Sequence, residues 1–242
     1  MSDDEGSKGL REIIVKFLGP AASELGELAA DHIRYYRWRS AVSIVEKARK
    51  WANERGIKTD EVPVRFMLPF LERCSLEAED TEMADRWSTL LVNAVTHYES
   101  KFEVYSHILS NITADEAKLL RCMWCKSTEY GVYHYDEYHK SFSRISDSID
   151  FGEISPKEKD EKSFEKAGRI VFLFQGQDIP NTNEFVLSGF EEGQMLLHLE
   201  GMNLVRNNTE TFLLNKERSF VFYSDITPLG FDLVSTCERI NQ

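Results

Sequence analysis

From Ala21 to Arg55 the chain carries no proline and is rich in alanine, leucine, glutamate, lysine and arginine. Pro20, just ahead of that stretch, stands where the first helical turn tolerates proline, because the missing N–H would have no intrahelical partner there. The pattern predicts one long helix, bent near Gly26 or Ser40 and ended by Gly56 as a C-terminal cap. Such a helix must bury one stripe against other elements, and the first half of the sequence supplies further helices. Leu10, Ile13, Ile14, Phe17 and Leu18 recur at helical spacing before Gly19-Pro20. Pro63 and Pro69 punctuate an apolar piece that leads into a helix around Phe70–Ser75. Thr81 opens a strongly periodic helix with Met83, Trp87, Leu90, Leu91 and Ala94 on one face, and Val104–Ser110 adds another turn. Thr113-Ala-Asp-Glu116 has the spacing of a capping box in front of Ala117, Leu119, Leu120 and Met123.

Beyond Lys126 the helical period is lost. A piece with Tyr130, Tyr133, Tyr135 and Tyr138 is followed by residues 140–167, which read as a surface insertion or loop. Arg169–Phe174 is β-branched and aromatic and predicts a strand, and Phe185–Leu187 either pairs with it or opens the next helix. Glu191–Met202 predicts a helix with Met195, Leu196, Leu199 and Met202 facing inward. Thr211–Leu214 and Phe220–Tyr223 predict a β-hairpin joined by Asn215–Ser219, and Thr227-Pro228 opens a last helix with Leu229, Leu233, Val234 and Cys237 inside. The expected fold is therefore mainly α. An N-terminal helical region with a long helix (1–110) precedes a C-terminal winged-helix-like α+β region with a small β-hairpin (111–242), interrupted by an insertion at about 126–168.

With 242 residues, 42% of them hydrophobic, the chain is long enough to bury a core without covalent staples. Cys74, Cys122, Cys125 and Cys237 accordingly read as reduced thiols rather than a disulfide framework. The apolar runs Phe66–Leu71 and Ile170–Phe174 are far too short to span a bilayer, so no transmembrane segment is expected. The opening residues Met1–Gly6 are acidic where a secretory signal is basic and then apolar, which predicts a cytoplasmic protein.

An ordered set of segments resembles the bacterial abortive infection alpha (Abi-alpha) family. These are Leu18–Leu28, Arg34–Arg39, Ile44–Ala48, Pro63–Leu71, the helix Arg86–Ala94, Leu204–Arg206 and Ile226–Gly230, so the resemblance covers about residues 10–125 and 190–238. It implies a role in phage defence, in which infected cells stop growing or die before the phage matures. It brings no catalytic residues with it. Val205-Arg-Asn-Asn208 departs from the Leu-Gly-Leu-type turn that the family carries after the preceding helix.

The net charge of −12 is an average over unlike parts. Residues 31–58 hold eight basic side chains against three acidic ones, while residues 59–100 hold nine acids against three bases. On the long helix Ile33, Ala41, Ile44, Ala48, Trp51 and Ala52 share an apolar arc in which Arg34 and Arg37 also fall. Arg34, Tyr35, Arg37, Trp38 and Arg39 interleave cations with aromatic rings, a combination suited to phosphates and stacked bases or to a protein partner. The bland reading is that Arg34 and Arg37 pair with carboxylates of the acidic 72–85 stretch, in the fold or across a dimer. The recognition-helix candidate, Glu191–Met202, contains no lysine or arginine, which opposes DNA binding.

Cys122, Cys125, His134 and His139 give C-x2-C-x8-H-x4-H, the ligand types of a zinc site at a spacing short for a finger. Because both cysteines continue an apolar helix, they read better as small buried hydrophobes, and no cofactor is expected. No G-x-S-x-G, H-E-x-x-H, P-loop or dinucleotide fingerprint occurs, so no catalytic site is expected. These readings together predict a sensor or effector acting through protein contacts, with self-association. Nucleic-acid binding through residues 32–39 or the winged-helix region is the alternative. Membrane perturbation by the Leu10–Leu18 helix comes last, because its flanks are acidic.

Overall fold

Tyr35–Glu54 forms helix α1 in the computed structural model, which describes residues 35–79, 81–125, 129–136, 141–146, 168–175, 190–214 and 217–238. The upstream part of the expected long helix and the Leu10–Leu18 stretch lie outside the described residues. The helix ends as predicted: Gly56 has φ +62°, the Gly56 N–H donates to the Asn53 carbonyl, and the Ile57 N–H donates to that of Ala52 at 2.9 Å. Those two bonds pair carbonyls that a helix end otherwise leaves open, and only glycine enters the left-handed region without a Cβ penalty. The chain divides into two compact units, residues 1–114 with 236–242 and residues 115–235.

In the first unit, α1 buries Ala41, Ile44, Val45, Ala48, Trp51 and Ala52 and packs chiefly against α3 (Glu82–Thr96). Thr81 caps α3 by accepting the Ala84 N–H at 3.1 Å. Trp87 is fully buried, with Phe70 set edge-on at 5.3 Å between ring centres. Helix α2 (Val64–Cys74) corrects the sequence reading, which placed its start near Phe70. It begins directly after Pro63 and runs through Pro69. A proline inside a helix costs one hydrogen bond and a steric clash, but burial of Phe66, Met67, Phe70 and Leu71 on one face outweighs that local preference. Helix α4 (Lys101–Leu109) adds Phe102, Tyr105, Ile108 and Leu109. Complete burial pushes the Cys74 thiol well above its ordinary range, so this cysteine is an unreactive packing residue. Arg86, on the buried face of α3, ion-pairs with Glu238 at 2.6 Å, and the Asn93 side chain donates to the Thr236 carbonyl, so both bonds hold the C-terminal residues to this unit.

The second unit opens with α5 (Ala114–Trp124) and contains a five-stranded sheet in the order β2-β1-β3-β5-β4. Its strands are β1 (Glu129–Asp136), β2 (Ser141–Ser146), β3 (Arg169–Gln175), β4 (Val205–Leu214) and β5 (Glu217–Ile226). Helix α6 (Glu191–Gly201) precedes β4, and α7 (Pro228–Cys237) follows β5. Among the described residues helix exceeds strand, as expected, yet the small hairpin is corrected to a larger sheet. Strands β4 and β5 are ten residues each, and Leu214 pairs with Glu217, so two residues join them where five were expected. The insertion also needs correction, since it contributes β1, parallel to β3, and β2, antiparallel to β1. Neither strand shows clean alternation in sequence, because their pairing rather than their own pattern selects the extended state. Residues 147–167 and Phe185–Leu187 lie outside the described residues.

Strand β3 is buried on both faces from Ile170 to Phe174, as a central strand should be. On one face Phe172, Phe174, Phe220 and Phe222 gather around Phe190, with ring centres 5.2–6.4 Å apart. Thr227 caps α7 by accepting the Gly230 N–H at 3.1 Å, as the Thr-Pro signature predicts.

Candidate functional site

The basic helix meets its own acids. Arg39 is exposed and pairs with Glu79 at 2.9 Å, and Lys47 pairs with Asp85 at 2.6 Å. Tyr35, Arg37 and Trp38 lie in the first turn of α1 with side chains outside the described part of the structure, and Arg34 lies outside it altogether. Just past the end of α1, the Arg55 guanidinium covers the Trp51 ring at 4.6 Å, a cation–π contact rather than a free cation.

The zinc-type residues behave differently from the sequence reading. Cys122 is half-buried in α5, Cys125 is exposed in the turn after it, and His134 is exposed on β1; His139 lies outside the described residues. The expectation that both cysteines are small buried hydrophobes is therefore corrected, because the apolar face of α5 turns away before Cys125. Among the described residues no three His, Cys, Asp or Glu side chains converge as a metal would require, and no helix is long and apolar enough to cross a membrane.

Three polar constellations in the second unit were not visible in sequence. Arg169 opens β3 ahead of its apolar run Ile170–Phe174, and its Nε and Nη2 donate to Asp225 at 2.6 and 2.7 Å while its guanidinium lies 4.2 Å from the Tyr223 ring centre. Arg169 and Asp225 are register partners on β3 and β5. The Asp225 hydrogen bonds hold the guanidinium above its ordinary pKa, and burial, reinforced by the Glu210 carboxylate, pushes the Tyr223 phenol up. This bidentate, stacked arrangement keeps Arg169 charged and Tyr223 neutral near neutral pH, which suits a fixed strut.

The second constellation ties α6 to the hairpin. Asn203, at φ +63°, ends α6 with the left-handed cap, and the Leu204 N–H donates to the Leu199 carbonyl at 2.9 Å. Asn207 then donates its backbone N–H and its Nδ2 to the two Glu200 oxygens, both at 2.9 Å, and Nδ2 also reaches the Leu196 carbonyl at 3.1 Å. The departure at Val205–Asn208 is thus a lock between helix and strand. Consecutive asparagines are poor strand formers, and that conflict was the available signal. Replacing Asn207 with alanine is expected to cost about 1–3 kcal/mol, since it removes the Nδ2 donor from one oxygen of the part-buried Glu200 and from the Leu196 carbonyl while the backbone N–H remains; the urea midpoint of the variant measures it.

The third constellation is Glu116, whose buried carboxylate meets His198 Nδ1 at 2.6 Å. Sequence showed Glu116 only as part of a capping box and His198 only as one polar residue of a helix. The exposed face of α6 presents Glu191, Gln194 and His198, and Glu192 lies 3.4 Å from Arg144 of β2.

A family model described as Abortive infection alpha matches residues 39–237. No curated protein and no solved structure shows a significant match.

Proposed function

The chain belongs to the abortive infection alpha family, and from that premise we propose that it acts in phage defence as a sensor or effector working through protein contacts. The family suggests the abortive-infection role. The observation that carries the protein-contact part is the pairing of the basic helix with the chain's own carboxylates, Arg39 with Glu79 and Lys47 with Asp85. Charge already neutralised in this way is a poor phosphate clamp, because association with nucleic acid draws its affinity from releasing counterions at free cations. The β3-β5-β4 order with α6 ahead of the hairpin supports a winged-helix-like core. Its recognition-helix candidate has no lysine or arginine, and Glu192 at its start is engaged by Arg144, so this core serves a protein partner or a second copy of the chain. We place this activity in the cytoplasm and without a catalytic step.

Phage challenge of cells with and without the gene tests the role: early death or arrest of infected cells and fewer plaques are expected only where the gene is expressed. Unchanged plaque numbers and survival across diverse phages overturn it. The rival reading, nucleic-acid binding through Arg34, Arg37 and Arg39, draws on the eight-to-three excess of bases over residues 31–58. We expect no binding of duplex or single-stranded DNA or RNA even at low salt. Binding that falls steeply with added salt and is lost on replacing the three arginines would put that rival first. Leakage from anionic liposomes, expected to be absent, checks the membrane alternative.

A further inference from the structure

We propose that His198 is an acceptor site for phosphoryl groups, with Glu116 as the residue that positions and activates its ring. Glu116 sits in the first turn of α5, with a side chain only 5% exposed, and a buried carboxylate is costly unless a donor meets it. His198 Nδ1 meets it at 2.6 Å. A carboxylate only accepts, so a neutral ring that donates to it holds its proton at Nδ1 and its lone pair at Nε2. The imidazole is 48% exposed although its Nδ1 edge faces a buried group, so the edge open to solvent is the one bearing Nε2.

The surroundings permit an anionic electrophile to approach. Of the other carboxylates on α6, Glu192 is paired with Arg144 and Glu200 with Asn207, while the exposed Glu191 lies two turns from His198, in the first turn of the helix. Gly201, one turn beyond His198, has no atom within 4 Å of where a side chain would begin, which leaves that flank uncrowded. A nucleophile hydrogen-bonded to a fixed third group is the arrangement that covalent catalysis and protein modification both use. In the transfer, the Nε2 lone pair forms an N–P bond as the donor's bond to phosphorus breaks and the leaving group departs with its electron pair. The ring keeps its Nδ1 proton, and the positive charge it acquires lies against the Glu116 carboxylate.

Phosphoramidate, which transfers its phosphoryl group and releases ammonia, is the probe, applied to the intact folded protein. Phosphohistidine is then located by mass spectrometry and its ring position by phosphorus NMR. His97, His107 and His134, also exposed, serve as internal comparators in the same molecule. His198 is expected to be phosphorylated on Nε2 about tenfold faster than any of them, a modest share of what positioned acid–base groups usually contribute. Glu116→Gln, which can still accept the Nδ1 hydrogen bond but lacks the charge, is expected to bring the rate down to that of the comparators. A rate at His198 no higher than theirs, labelling on Nδ1, or a folded Glu116→Gln protein that reacts as fast as the parent each overturn the proposal. The competition within the unmodified protein decides even if that variant does not fold. The outcome is independent of the phage-defence reading, which rests on infection phenotypes.

Discussion

Replacing Arg86 with alanine is expected to lower the stability of the first unit by about 3–5 kcal/mol, because the change leaves an uncompensated charge in a buried place. Arg86 is 5% exposed and Glu238 11% at their side chains, and the pair closes at 2.6 Å. Glu82 lies a further 3.5 Å from the guanidinium but is largely exposed and cannot replace the lost contact. Unlike the exposed pairs of α1, this one is shielded from water and salt, so its loss is felt almost in full. Glu238→Ala is expected to be comparably costly. Replacing both residues with apolar ones of similar volume should cost less than either single change, since no charge then remains buried. Urea unfolding followed by circular dichroism, with the three variants compared, checks this; additive single and double effects would mean that the two side chains do not act as a pair.

The second large effect is expected at Gly230, inside the first turn of α7. A Cβ added there would overlap the Leu204 carbonyl oxygen and stand 3.0 Å from a side-chain carbon of Ile226. The Leu204 oxygen is backbone and already accepts the Thr227 N–H at 3.0 Å, so it cannot move aside without breaking the junction of hairpin and helix. Gly230→Ala should therefore cost at least about 3 kcal/mol, the upper end of ordinary overpacking. Gly201 provides the control. Nothing lies within 4 Å of its added Cβ, and its alanine variant should be neutral or more stable by up to about 1 kcal/mol through helix propensity. Equal thermal midpoints for the two variants would count against the steric account.

Among the described residues, the helices follow sequence where their signals are local. Thr81 and Thr227 act as caps, Gly56 as a left-handed terminator, and the stripe of Met83, Trp87, Leu90 and Leu91 as a buried face. Each signal is complete within a few residues, because a hydrogen bond to the third residue on or a 3.6-residue period needs nothing from the rest of the chain. Charge segregation was equally legible; the ion pairs that the described residues show between the basic helix and the acidic stretch are those of Arg39 and Lys47, while the side chains of Arg34 and Arg37 lie outside the described residues.

What tertiary structure alone decided has a common physical cause. Helix α2 runs through Pro69 because burial of Phe66, Phe70 and Leu71 outweighs a local proline penalty. Strand β1 exists because β3 offers an edge, and β2 because β1 offers the next one, a property of pairing that no window of sequence contains. Arg86 with Glu238, Arg169 with Asp225 and Glu116 with His198 join residues 152, 56 and 82 positions apart. The sequence by itself determined the helical class, the caps and the family. Which charges are buried together, and therefore which side chains are held and which are presented to solvent, was settled only by distant segments meeting where water no longer screens them.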